Sequence, residues 1–237
     1  FMESGWSLKK LHRLILLSST WQQSIYPAES ASPKSILETD PENRLWGRMN
    51  RRRLSAEEIR DGILQLSGDL ELSMGGTLLP TPNRAYVTST ASVNPDVYRT
   101  DRRSVYLPVV RSALYEVLQA FDFADPSVLT GKRQSTTVAP QALFMMNSEF
   151  VSKQTRQLAE KLLRDESADS ERLQKLWQRA YGRSIQPAEE AGARSFLSAY
   201  EARWKAARPD AAADSPLRAW QSLCRAVISS NEFLYVE

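Results

Sequence analysis

The 237 residues include one cysteine and one histidine. The lone Cys224 excludes an internal disulfide framework and any Cys-rich zinc site. The lone His12 removes every His-pair metal motif and leaves one candidate base for a Ser-His or Cys-His pair. Glycine (9) and proline (12) are too few for a collagen-like or low-complexity chain. No apolar run approaches the roughly 20 residues that cross a bilayer. The longest are Leu14 to Leu17 and Ala142 to Met146. No signal peptide is visible. The chain nevertheless opens Phe1-Met2-Glu3 and reads as a piece of something longer, so that absence says nothing about location.

Charge of one sign is also lacking. The net charge is +3, and residues 1–61 carry 10 basic against 8 acidic side chains. A nucleic-acid binder shows a clustered basic stripe. Here only Arg51-Arg52-Arg53 hints at one, and nucleic acid is not an expected partner. Of 31 basic residues only 8 are lysine. Arginine suits bidentate ion pairs and partly buried networks, though a biased genome composition would give the same excess.

What is present is helical punctuation. With 42% hydrophobic and 25% charged residues, the chain reads as mainly α, a multi-helix bundle or array with a minor β element near 104–111. Ser7 caps a helix expected to run to about Ile25, with Leu8, Leu11, Leu14, Ile15 and Trp21 on one face. Asp40-Pro41-Glu42 reads as N-cap, N1 proline and first-turn acid of a helix carrying Leu45, Trp46 and Met49. Ser55-Ala56-Glu57-Glu58 matches a capping box. Ile59, Ile63, Leu66 and Leu70 follow as a buried stripe, which Gly75-Gly76 closes.

Residues 77–103 hold several prolines and no helical period, which makes a functional loop or a covering arm. Val105 to Val110 is the best strand candidate, with Pro108 confining it to an edge or bulge. A helix is expected from about Ala113 to Phe121. Further helices start at Pro140 and Ser148, the latter capped by Asn147. Another follows over Leu173 to Tyr181, with Gly182 at its C′ position. The last two open at Pro187 and Ser215-Pro216, separated by a linker-like stretch at 207–214. Residues 1–140 form one helical part with the long loop, and 141–237 a helical sub-bundle packed on it as one domain.

No recognisable catalytic constellation emerges, and no metal is expected. The strongest polar candidates are Arg48, Arg51, Arg52, Arg60, Asp61, Arg103, Tyr106, Arg133 and Thr136. Arg44, Arg48, Arg51 and Arg52 would lie along one helical side and could grip phosphate, sulfate or carboxylate groups bidentately. The competing reading pairs these arginines with Glu57, Glu58 and Asp61. Lys132 to Thr137 could hold an anion beside a helix start, or could simply satisfy its own backbone. The paired carboxylates that run glycoside hydrolysis are already explained here by helix starts. His12 reads as a packed or paired core residue and Cys224 as a buried thiol. Trp6, Trp21 or Trp46 could offer a stacking platform for a sugar.

Several stretches resemble a planctomycete-specific domain of unknown function (domain of unknown function 1553). They are Gly5 to Ile15, Asp40-Pro41-Glu42-Asn43-Arg44-Leu45, Met49 to Leu54, Glu57 to Asp61, Arg103 to Val109, Pro140 to Leu143 with Asn147, and Ser230 to Tyr235. The resemblance spans nearly the whole chain. It implies a module of long exported, extracytoplasmic proteins that carry c-type cytochrome domains. A c-type haem needs Cys-x-x-Cys-His, so any such haem sits on another domain of the parent protein and this chain carries no cofactor. The resemblance supplies no reaction and no catalytic residues. The expected function is therefore a non-catalytic helical module docking on neighbouring domains. The alternative is a site for a polyanion or sulfated glycan, as part of a polysaccharide-degrading enzyme.

Overall fold

The computed structural model describes residues 1–25, 38–76, 78, 98–109, 114–166 and 168–236. Helices dominate, as the periodicity implies. They are α1 (Leu8–Leu16), α2 (Ala56–Ser67), α3 (Glu116–Ala120), α4 (Ala139–Asn147), α5 (Glu149–Asp165), α6 (Asp169–Tyr181), α7 (Pro187–Ala207), α8 (Ser215–Ile228) and α9 (Asn231–Leu234). The β element is a two-stranded antiparallel sheet of β1 (Arg52–Arg53) and β2 (Tyr235–Val236). The chain divides into two compact units. One comprises residues 1–53 with 235–237, the other residues 54–234. Neither unit ends at 140.

Local capping sets the boundaries in the second unit. The Ser55 capping box is present in both directions: the Ser55 N–H donates to Glu58 Oε2 at 2.7 Å, and the Glu58 N–H to Ser55 Oγ at 3.4 Å. The helix then stops at Gly68 rather than at Gly75-Gly76. Gly68 takes φ +81°, and the N–H groups of Gly68 and Asp69 both donate to the Leu64 carbonyl. A left-handed glycine of this kind reverses the chain, and Leu70 falls outside the stripe. Gly182, at φ +71°, ends α6 in the expected way. Prolines within the first turns of α4, α7 and α8 stand where the sequence put them. Ser148, one residue after the expected Asn147, is the N-cap of α5.

The core of this unit forms where α5 packs on α2 and α8, and α8 on α7. Ile59, Ile63, Leu158, Leu162, Leu173, Leu176, Trp220, Val227 and Ile228 are its fully or nearly fully buried members. Cys224 is buried among them, as expected.

Several expectations are corrected. The helix starting at Asp40 does not form. The Asp40 carboxylate accepts the Arg44 and Leu45 N–H groups at 2.9 and 2.8 Å. The Asn43 side chain bonds Arg48 O at 2.6 Å and Asn50 Oδ1 at 3.0 Å. Asn43 and Trp46 have positive φ. Side chains thus take over the backbone groups that a helix would pair. Helix α1 ends at Leu16, well before Ile25, and the Ser18 hydroxyl donates back to the Ile15 carbonyl. Ser104–Tyr106 is a 3₁₀ turn, and the sheet lies at 52–53 with 235–236. Helix α3 starts at Glu116 because Tyr115 is extended. Residues 209–214 of the supposed linker are a 3₁₀ segment. Most of the 77–103 loop lies outside the described residues.

The first unit differs in kind. Helix α1 buries none of its residues. Leu8 is 62% exposed and Leu14 71%, and Ile15 and Trp21 are exposed too. His12 is also exposed rather than packed.

Candidate functional site

The second unit contains a sealed polar knot. Arg60 and Asp61 are neighbours on α2, and Arg60 is 0% exposed. Its Nη1 donates to the Arg102 carbonyl at 2.8 Å and to Ser104 Oγ at 3.2 Å. Its Nη2 donates to the Thr100 carbonyl. Asp61 accepts the Ser104 N–H at 2.9 Å and the Ser104 hydroxyl at 2.6 Å. A buried charge must find such partners, because its desolvation is otherwise uncompensated. The knot fastens residues 100–104 onto α2. Two of the stretches that carry the family resemblance, 57–61 and 103–109, therefore meet here.

The fastened segment carries further arginines. The Arg102 guanidinium stacks 4.5 Å from the Tyr106 ring centre, and Arg103 lies 5.5 Å from it. Arg103 also donates to the Tyr106 hydroxyl at 3.4 Å. Arg60, Asp61, Arg103 and Tyr106, four of the nine polar candidates, thus lie on α2 and the segment fastened to it.

Beside the knot lies a cleft of 580 Å³. Its apolar surface comes from Tyr98, Leu114, Tyr115 and Phe150, and its charged rim includes Asp101, Glu116, Glu149 and Lys153. Tyr98 and Tyr115 stack face to face, 4.9 Å apart and 8° from parallel. The Arg60 guanidinium lies 5.8 Å from the Tyr115 ring centre and 6.0 Å from that of Phe150. Burial pushes the Tyr115 phenol up, against an opposing pull from Arg60. Lys153 pairs with Asp101 at 3.6 Å across the rim. Sequence reading missed this cleft, because its aromatics come from three segments with no shared spacing.

The remaining candidates sit elsewhere. Arg133 grips both Glu57 carboxylate oxygens at 2.8 and 2.9 Å and stacks 4.5 Å from the Phe123 ring centre. The Thr136 N–H and hydroxyl each donate to Asp122 at 2.8 Å. Gln141 donates to the Thr136 carbonyl at 3.0 Å. The backbone of Thr136 is thus satisfied by Asp122 and Gln141, which lie outside the 132–137 stretch. Arg48 belongs to the first unit and donates to the Asp40 and Pro41 carbonyls at 3.4 and 2.8 Å. Arg51 and Arg52 are exposed residues of the same unit.

One strong ion cluster escaped the sequence. Arg183 bridges Glu189, at 2.8 and 2.7 Å, and Glu232, at 2.5 and 2.8 Å. Hydrogen bonding to Arg183 pulls the Glu189 carboxyl down to about 2. The three residues come from the α6–α7 junction, α7 and α9, so no local motif marks them. Among the described residues, no group of three or more His, Cys, Asp and Glu is placed to hold a metal ion. None of their helices is long and apolar enough to cross a membrane.

Comparison with known proteins gives one match. The profile of the PSD1 family, described as a protein of unknown function (DUF1553), covers residues 1–197. No curated protein and no solved structure matches the chain.

Proposed function

Because the chain belongs to the PSD1 family of proteins of unknown function, we propose that it is a non-catalytic helical module of a longer exported protein. It docks on a neighbouring domain of that protein, and c-type cytochrome modules lie elsewhere in the parent chain. The observation that carries this reading is the bare apolar face of α1. Leu8, Leu14 and Ile15 stand in solvent on a helix that buries nothing. A nine-residue helix is marginal in water by itself. Fully burying a Leu or Ile side chain is worth about 1.5–3 kcal/mol, and covering these partly exposed ones supplies a share of that as a driving force against the cost of association. The planctomycete origin, the extracytoplasmic location and the cytochrome association belong to this proposal and rest on the resemblance alone.

The test compares amide exchange of α1 in the isolated chain and in the full-length parent. Docking predicts slow exchange in the parent only, abolished by Leu14→Asp with Ile15→Asp. Equal exchange in both settings overturns the reading. Cell fractionation checks export independently.

The polyanion alternative gains little from the geometry. Arg60 is buried against carbonyl oxygens and cannot reach a sulfate, and the exposed Arg133 already commits Nη1 to Glu57.

A further inference from the structure

The cleft at Tyr98 and Tyr115 has no part in docking through α1, and its chemistry stands apart from it. We propose that this cleft is a binding site for an uncharged saccharide. Its volume, 580 Å³, falls in the range of small-ligand sites, roughly 300–1,000 Å³. The half-buried Tyr115 and Phe150 rings supply apolar surface on which the C–H face of a sugar ring packs, and Tyr98, 7% exposed, backs this surface by stacking on Tyr115. The rim supplies both kinds of hydrogen-bonding group. Asp101, Glu116 and Glu149 accept from hydroxyls, and Lys153 and Arg99 donate to them. Such a mixture suits a ligand whose hydroxyls are each donor and acceptor.

Charge discriminates against the other candidates. Among the described lining residues three carboxylates face two cations, and Arg60 adds a third positive charge beside the rings, so the charges balance and give a sulfated or carboxylated chain no net attraction. An organic cation would be drawn to the carboxylates and the rings. Arg60, however, already sits 5.8 Å from Tyr115 and 6.0 Å from Phe150. Its fixed positive charge opposes a second cation on those rings. A neutral polyhydroxyl ligand meets neither objection.

The site is also built rather than accidental. Arg60 holds the Thr100 and Arg102 carbonyls, and the Glu71 N–H donates to the Asp101 carbonyl at 2.8 Å. One wall of the cleft is thereby fixed before a ligand arrives, which lowers the ordering cost of binding.

The test is a glycan array carrying neutral, sulfated and sialylated oligosaccharides, probed with the 237-residue chain. Tyr98→Ala and Glu149→Gln are run beside it. Glu149 is exposed, so its variant reports on the rim with the fold intact, which a thermal melt verifies. Choline is titrated separately as the cationic probe. The expected result is binding confined to neutral glycans, lost in Tyr98→Ala and weakened in Glu149→Gln. No binding, binding only to anionic glycans, tighter binding of choline, or neutral binding indifferent to both variants each overturns the proposal. Exchange at α1 is read separately, so failure here and failure of the docking reading are distinguishable.

Discussion

Asp61 receives the Ser104 hydroxyl at 2.6 Å and the Ser104 N–H at 2.9 Å, across 43 residues of chain. A single carboxylate thus fixes where the 100–104 segment lies. With Arg60 beside it, the pair holds one wall of the cleft.

Breaking the knot should therefore unfold more than a loop. Arg60→Met strands the Thr100 and Arg102 carbonyls, and Asp61 loses the cation beside it. The expected cost is about 3–5 kcal/mol, read as a lower urea midpoint. Arg60→Lys should rescue little, because a point charge cannot reach carbonyls set in a fork. Lysine behaving like wild type would mean that charge, not geometry, is what the site uses.

The Arg183 cluster makes stability fall in acid. Glu189 is held at about 2 when folded, against an ordinary value of 4.5. A depressed carboxyl contributes stability fully above its unfolded value and loses it as pH drops through the folded one. The loss should therefore develop between 4.5 and about 2. Urea midpoints measured across that window should fall less steeply in Glu189→Gln than in wild type.

Cys224 should resist alkylation. It is fully buried, and burial pushes its thiol far up. Only the thiolate reacts. Iodoacetamide should label it at a rate limited by unfolding, and completely in denaturant. Rapid labelling of native protein would place the thiol outside the core.

The two units should respond differently to truncation. Ile63→Ala and Leu158→Ala remove fully enclosed side chains, with an expected loss of about 2–5 kcal/mol each. Leu14→Ala removes one that is 71% exposed, and in the isolated chain should stay within about 0.5 kcal/mol of wild type. A large effect at Leu14 would show that α1 is covered within the chain itself.

The legible features were those whose signal is local. Ser55 with Glu58, Gly182, and the prolines opening α4, α7 and α8 act within one turn, and each appeared where it was read. The stretch after Asp40 failed for an equally local reason. Asp40 and Asn43 side chains substitute for the backbone pairing on which a helix depends. Arg60 could have been read better. It lies four residues after Ala56 and four before Leu64, all three buried, so spacing alone puts it on an inward face. The cleft and the Arg183 cluster join distant segments, and no spacing rule reaches that far.

The β1–β2 pairing carries a consequence for synthesis. Arg52 faces Val236, and Arg53 faces Tyr235, so the first unit is completed by a strand that is synthesised only after residues 54–234. Every helix of the second unit is translated in between. In topological terms the second unit is an insertion within the first. The nascent first unit must therefore wait, with its sheet half made, until the inserted helices have been translated.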